Sequence, residues 1–227
     1  FRSLNSIIKS LNFAKSLLPN ILFNIIVVDH NSKKEDLEKI KQQLSKSKIE
    51  SSVIPLNISE FLGDIKKTNA KNQVVTQNQI SNMCNIRKSL ITAKSQCKDL
   101  IYFVEDDYLH KKKSINEMIF TYERISSQIN QELILCPTDY PFLYSKIDST
   151  NIFLGLNKHW RKIDETLCTF LTSKIMIDKH WLKLLKMCQF EHYPFEKPLH
   201  EIYETEYCLS PIPSLALHCT NINSVYG

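Results

Sequence analysis

Leu100-Ile-Tyr-Phe-Val-Glu-Asp-Asp107 is the stretch on which the fold turns. Its first five residues are apolar and the last three are carboxylates. A short, nearly continuous apolar run suits a strand buried on both faces of a sheet. In an open α/β sheet, ligands sit beyond the carboxyl ends of the strands. Three adjacent anions repel one another, and hard oxygen donors of this kind suit magnesium, manganese or calcium. A metal bridging Asp107 and a diphosphate would neutralise a departing negative charge. The competing reading is a solvated acidic turn that caps the next helix; the buried strand ahead of it weighs for the metal.

The same alternation extends outward. A helix is expected from about Asn78 to Ser95, on Ile80, Met83, Ile86, Leu90 and Ala93, and a second on Ile115, Met118, Ile119, Tyr122, Ile125 and Ile129. A strand, Leu133 to Cys136, follows. Upstream, Leu22 to Val28 reads as a strand buried on both faces and ends in Asp29-His-Asn-Ser32. Ser32 and Glu35 have the spacing of a capping box for a helix whose inner face is Leu37, Ile40 and Leu44. Ser52 to Leu56 is a second strand near an edge, because Pro55 lacks a ladder donor. The chain opens on a helix carrying Leu4, Ile7, Ile8, Leu11, Ala14 and Leu18, stopped by Pro19 and Asn20. Residues 57 to 77 read as a polar connection. Short strands and turns run from Pro137 to Thr172, then a helix near Lys174 to Met187, an aromatic and charged stretch to Tyr207, and Pro211 to His218. Alternating β and α predicts an α/β fold with a mainly parallel central sheet and helices on both faces.

At 227 residues and 43% hydrophobic, the chain can fill one large core. Its net charge of +5 is spread along the sequence, which suits an anionic small substrate and argues against a nucleic-acid track. Seven cysteines, with no CxxC pair, read as reduced thiols of a cytoplasmic protein. No apolar run reaches the roughly 18 residues of a membrane span, so any membrane association is expected to be peripheral, at an inner face.

The ordered motifs resemble the family 2-like glycosyltransferases of the GT-A fold. Ile25-Ile-Val-Val-Asp-His-Asn-Ser32 looks like their first-half motif, an apolar strand ending in Asp with a nearby Ser. Asn85-Ile-Arg-Lys-Ser-Leu90 and then Leu100 to Tyr108 are similar to the helix leading into their DxD-type metal motif, here in an EDD form. Pro213-Ser-Leu-Ala-Leu-His218 resembles the strand whose terminal histidine completes the metal site. By that resemblance one domain spans 1–227, with a nucleotide-binding half to about residue 136 and an acceptor half beyond it. Asp29, with Ser32 near it, would contact the nucleotide base, and Arg87 or Lys88 the diphosphate. Glu105 and Asp106 would meet the ribose or metal-bound water, and Asp107 and His218 would bind Mn2+ or Mg2+. The donor would be a nucleotide-diphosphate sugar and the acceptor a hydroxyl of a glycan or lipid-linked substrate, with inversion. The family opens on a strand that touches the nucleotide. Here that strand is expected upstream of Phe1, leaving a sheet with an unfilled edge or gap.

An inverting transfer needs a carboxylate to take the acceptor hydroxyl's proton. Asp164, Glu165, Glu201, Glu204 and Glu206 are candidates. Glu201, in Leu199-His-Glu-Ile202 after Pro198, best fits the position of the family's base, with Glu165 as second choice. His159-Trp160-Arg161 would line the acceptor or sugar site, unless Trp160 is core. Two other classes compete. A nucleotidyltransferase shares an α/β core and metal carboxylates but usually carries a Gly-rich basic loop, and this chain has three glycines. A non-catalytic GT-A-like module would bind glycan or a partner. The glycine count also disfavours dinucleotide and P-loop sites.

Overall fold

The computed structural model describes residues 1–145, 149–191 and 196–219. The first helix, α1 (Arg2–Leu17), buries Ile7, Ile8 and Ala14. Strand β1 (Asn24–Asp29) pairs in parallel with β2 (Glu50–Pro55), from Asn24 opposite Glu50 to Asp29 opposite Pro55. The crossover helix is α2 (Lys34–Ser45). The expected capping box on α2 does not form. Lys33 occupies the N-cap, and the Ser32 hydroxyl donates instead to the Asp29 carboxylate. The helix starts one residue later than the box requires.

Residues 57–75 do more than connect. A 3-10 turn at Ile58–Glu60 leads into a segment that sinks Phe61, Ile65 and Val75 into the core. It ends at the capping box of α3 (Gln77–Gln96): the Gln79 N–H donates to Thr76 Oγ1 at 3.3 Å, and Gln79 Oε1 accepts the Thr76 N–H at 2.7 Å. The box supplies partners for first-turn donors that a helix cannot satisfy internally.

Then follow β3 (Leu100–Phe103), β4 (Tyr108–His110), α4 (Ser114–Ile129), β5 (Leu133–Leu135), a 3-10 turn at Pro141–Tyr144, β6 (Ile152–Leu154), β7 (His159–Lys162) and β8 (Phe170–Ser173). The helix expected from Lys174 to Met187 is two, α5 (Lys174–Lys179) and α6 (Trp181–Lys186). They break at His180, whose Nε2 lies 2.7 Å from Glu206 Oε1. The chain closes with α7 (Lys197–Tyr203), β9 (Tyr207–Ile212) and β10 (Ala216–His218). The aromatic stretch before Tyr207 falls partly outside the described residues.

The main sheet has the order β3-β8-β5-β9-β7-β6. Its residues alternate between two cores, as a pleated strand with both faces covered must. Ile101, Ile134, Phe170 and Cys208 join the core under α3, α5, α6 and α7. Leu133, Leu135, Leu171 and Leu209 join the core under α1 and α4. The α/β class with helices on both faces is therefore the observed one, but the strand directions correct its parallel character. β3 and β5 run antiparallel to β8, which lies between them, and β5 with β9 is the parallel pair of this sheet. β7 with β9 and β6 with β7 are antiparallel. The cause is the second half of the chain, which sends β8 back through the sheet. β1, expected to be buried on both faces, is half-buried along most of its length. Among the described residues, β1 and β3 each have one side without a strand partner.

All seven cysteines are unpaired. No helix of the described residues is long and apolar enough to cross a membrane.

Candidate functional site

The chain leaves β3 at Phe103 and turns through Val104-Glu-Asp-Asp107 into β4. β4 pairs antiparallel with β10, with Tyr108 opposite His218, so a residue more than a hundred positions downstream arrives beside Asp107. The Cys219 N–H donates to the Asp107 carbonyl at 2.9 Å. The Asp107 Oδ2 and His218 Nε2 atoms stand 3.1 Å apart. Asp107 Oδ1 is buried with no hydrogen-bond partner. The His218 ring stacks on Tyr108 with centroids 4.6 Å apart and planes 14° apart, and meets Tyr140 edge-on at 6.3 Å. The hydroxyls of Tyr108 and Tyr140 are 2.6 Å apart, so both rings that hold the imidazole are themselves joined.

Glu105 sits on the other side of the turn. Its N–H donates to Thr169 Oγ1 at 3.1 Å, and the same hydroxyl donates to Glu105 Oε2 at 3.3 Å. Burial pushes its carboxyl up to about 7, and the charge of Asp107 adds to the rise while the Thr169 bond opposes it. Glu196, just before α7, belongs to the same electrostatic neighbourhood: its charge acts on Glu105, and His200 and His218 act on it. Burial raises the Glu196 carboxyl as well. Asp106 points to solvent.

A carboxylate and an imidazole are two donors that a divalent cation can take. Among the described residues no group of three or more His, Cys, Asp or Glu side chains is disposed to hold a metal. A carboxylate with an orphaned oxygen beside an imidazole nitrogen is instead a partial set, of the kind that magnesium or manganese completes with water and substrate phosphates.

The other expected residues have contacts of their own. Asp29 ends β1, with Ser32 folded back on it, in the β1–β2 sheet, whereas Asp107 lies in the turn between β3 of the main sheet and β4 of the separate β4–β10 pair. That end of β1 is tied to α3: Asn85 Nδ2 donates to the Val28 carbonyl at 3.1 Å, and His30 Nδ1 lies 2.7 Å from Ser81 Oγ. Arg87 pairs with Asp64 at 2.9 Å and Lys88 with Glu60 at 3.6 Å, so both cations brace the 57–75 segment. Glu201 offers its backbone carbonyl to Lys183 Nζ at 3.3 Å. Glu165 is half-buried in the turn before β8, next to Thr166, whose N–H donates to His200 Nε2 at 3.2 Å. Glu206 is occupied by Lys179 and His180. Trp160 is fully buried among Ile115, Leu133 and Leu209, so it is core and does not line a sugar site.

Sequence reasoning missed Glu196, Thr169, Tyr108 and Tyr140. For Tyr108 the signal was present, since it directly follows the acidic triplet. The other three carry none, because their places come from tertiary contacts.

The sequence matches no known family and no curated protein. Among solved structures it is similar to a UDP-glucose pyrophosphorylase complexed with UDP-glucose, at 7% identity and a TM-score of 0.47, over 94% of this chain and 82% of that one. No residue role follows from a likeness of that degree.

Proposed function

We propose that this chain is the catalytic domain of a Mn2+- or Mg2+-dependent transferase that takes a nucleotide-diphosphate sugar and moves the sugar to a hydroxyl acceptor. One observation carries this reading: Asp107 Oδ2 and His218 Nε2, 111 residues apart in sequence, stand at 3.1 Å with Asp107 Oδ1 unpartnered. A carboxylate and an imidazole held this close at a strand end in an α/β fold, with one carboxylate oxygen unpartnered, could supply two ligands to a cation. When bound there, the cation would neutralise the diphosphate as it departs.

The protein's own groups divide the rest. Asp107 and His218 would hold the cation, whose positive charge would favour the diphosphate end, and Tyr108 and Tyr140 fix the His218 ring. Glu105, which burial raises to about 7, is divided between its neutral and charged forms near pH 7 and suits a sugar or ribose hydroxyl as donor or acceptor. Glu196 replaces Glu201 and Glu165 as our choice of base, because it is a half-buried carboxylate at the N-cap of α7, within the electrostatic reach of Glu105 and His218. In the step, the acceptor oxygen bonds to the anomeric carbon and its proton passes to the Glu196 carboxylate. The bond from the anomeric carbon to the diphosphate oxygen breaks, and its electron pair leaves with the diphosphate.

A second reading, nucleotidyl transfer with attack at phosphorus, would use the same two ligands. It differs in one point: attack by pyrophosphate needs no carboxylate to accept a hydroxyl proton, so it does not depend on Glu196. The two separate by product. Incubation of UDP-glucose with manganese is expected to release UDP, slowly to water and faster with acceptor sugars. Formation of UTP on addition of pyrophosphate would favour the second reading, and neither product would defeat both.

A further inference from the structure

The segment that follows β5 builds a ledge beside the His218 ring. Pro137 and Thr138 are stitched to β10: the Leu215 and Ala216 N–H groups donate to the Pro137 carbonyl at 2.8 and 3.1 Å, and Thr138 Oγ1 donates to the Ala216 carbonyl at 3.3 Å. The Asp139 N–H donates to Ser214 Oγ at 2.7 Å. Whatever this segment carries is therefore held rigidly against the strand that presents His218. Tyr140 meets His218 edge-on and stacks on Phe142 with centroids 5.3 Å apart and planes 18° apart. Phe142 is thus one ring removed from His218, and it is 40% exposed.

Tyr144, 59% exposed, is fixed more firmly than a surface tyrosine needs to be. Its hydroxyl donates to Asp139 Oδ2 at 2.6 Å, and the Arg161 guanidinium lies 4.1 Å from its ring centroid. Arg161 in turn donates to Asp139 Oδ1 at 2.5 Å, with both charged side chains nine-tenths buried. A buried ion pair carries a large desolvation cost and is weak evidence for stability. Here it clamps one face and the hydroxyl of Tyr144. Single exposed aromatic residues need no explanation. Two on one short turn, one stacked against a ring that holds His218 and one clamped by a buried charge pair, are a preorganised surface.

We infer that Phe142 and Tyr144 receive the acceptor as a pyranose ring laid on an aromatic face. This rests on the proposed reading of the site as a sugar transferase. A pyranose offers a flat face of C–H groups and a rim of hydroxyls. The ledge offers flat apolar rings with the Tyr144 hydroxyl, already tied to Asp139, at the rim. Rings already held in place lose little freedom on binding, so a weak stacking contact is not cancelled by ordering cost.

Saturation-transfer NMR tests this on the whole chain. The probes are trisaccharides ending in glucose, galactose or N-acetylglucosamine, with the thermal shift from UDP and manganese measured in parallel. At least one trisaccharide is expected to receive saturation on the C–H protons of its terminal ring. Tyr144→Ala should weaken that binding by about tenfold or more, whereas Tyr144→Phe, which keeps the ring and loses the tie to Asp139, should weaken it less. Both variants should keep the UDP shift. No saturation of any sugar by the parent protein, or equal binding by Tyr144→Ala, would overturn the inference. Loss of the UDP shift in Tyr144→Ala would overturn it too, by assigning the ledge to the nucleotide base. Sugar binding that depends on Tyr144 in a protein that takes up no UDP would uphold the ledge and defeat the donor-site reading instead.

Discussion

Asp107→Asn separates a metal ligand from a structural carboxylate. Asn keeps the shape of Asp107 and can still hydrogen-bond His218 across 3.1 Å, so the turn between β3 and β4 is expected to survive. It also removes the charge that helps raise Glu105, whose carboxyl should fall from about 7 toward its ordinary range. The fold is expected to stay within about 1 kcal/mol of the parent, as for a substitution that opens no cavity and strands no charge. The cation, however, loses its anionic ligand. A ligand present at about a hundred times its Kd stabilises the native state by about 2.7 kcal/mol. At about 2–4 °C per kcal/mol for a chain of this size, that is a rise in Tm of roughly 5–11 °C. Differential scanning fluorimetry with UDP and manganese should show this rise in the parent, lose it in chelator, and lose it in Asp107→Asn without chelator. An equal rise in chelator, or a rise retained by the variant, would refute the metal assignment. Global unfolding of the variant would make Asp107 structural.

Glu196→Gln should keep the UDP and manganese shift while the rate of sugar transfer falls by about a hundredfold or more, the usual contribution of a general base. Because burial raises Glu196, the acid limb of the parent's rate profile should lie above the ordinary carboxylate range. His110, lowered from 6.5 to about 4 by burial, is neutral in the folded chain at pH 5 and charged in the unfolded one. The unfolded state then binds more protons, so this group's contribution of roughly 3 kcal/mol is present above pH 6.5 and is lost as pH falls toward 4. Urea unfolding across that window should show the loss, and His110→Gln should flatten it. Gly155→Ala would place a Cβ 2.5 Å from Thr121 Oγ1 and Trp160 Nε1, and the overpacking should cost about 1–3 kcal/mol by the same unfolding measurement. A change below about 0.5 kcal/mol there would mean that the Trp160 pocket yields easily.

The elements with local signatures were legible. The periodic faces of α1, α3 and α4 and the apolar runs of β1, β3 and β5 stand where the pattern puts them, within a residue or two. What the pattern could not supply was anything decided at a distance. β8 is four residues with no period of its own, and its antiparallel course between β3 and β5 depends on both neighbours. Ser32 had the spacing of a cap but found Asp29 as a nearer partner. Phe61 and Ile65 have helical spacing but sit in a segment that forms no α-helix, and they and Val75 are buried in one cluster with Ile80, Met83 and Cys84 of α3. Glu196 was unreadable because a carboxylate before Lys-Pro looks solvated until the fold covers it.

The candidate site has the same division within it. The three carboxylates announce themselves at the end of a buried run, but a carboxylate cluster alone is ambiguous between a turn and a metal centre. What resolves the ambiguity physically is a three-residue strand. With a side-chain period of two, a shift of β10 by one residue against β4 would turn His218 to the opposite face and leave Asp107 without a partner. The register is pinned beyond its own ladder. The Lys111 N–H donates to the Leu215 carbonyl at 2.9 Å, Lys111 Nζ to the Ser214 carbonyl at 2.7 Å, and the buried Ser114 hydroxyl to the Leu215 carbonyl at 2.5 Å. The stacked Tyr108 and His218 rings add a cross-strand pair on the same register. A strand this short is not stable by itself. Tying it at three further points to the loop and helix after β4 makes physical sense if the position of its last residue, His218, is what the arrangement holds.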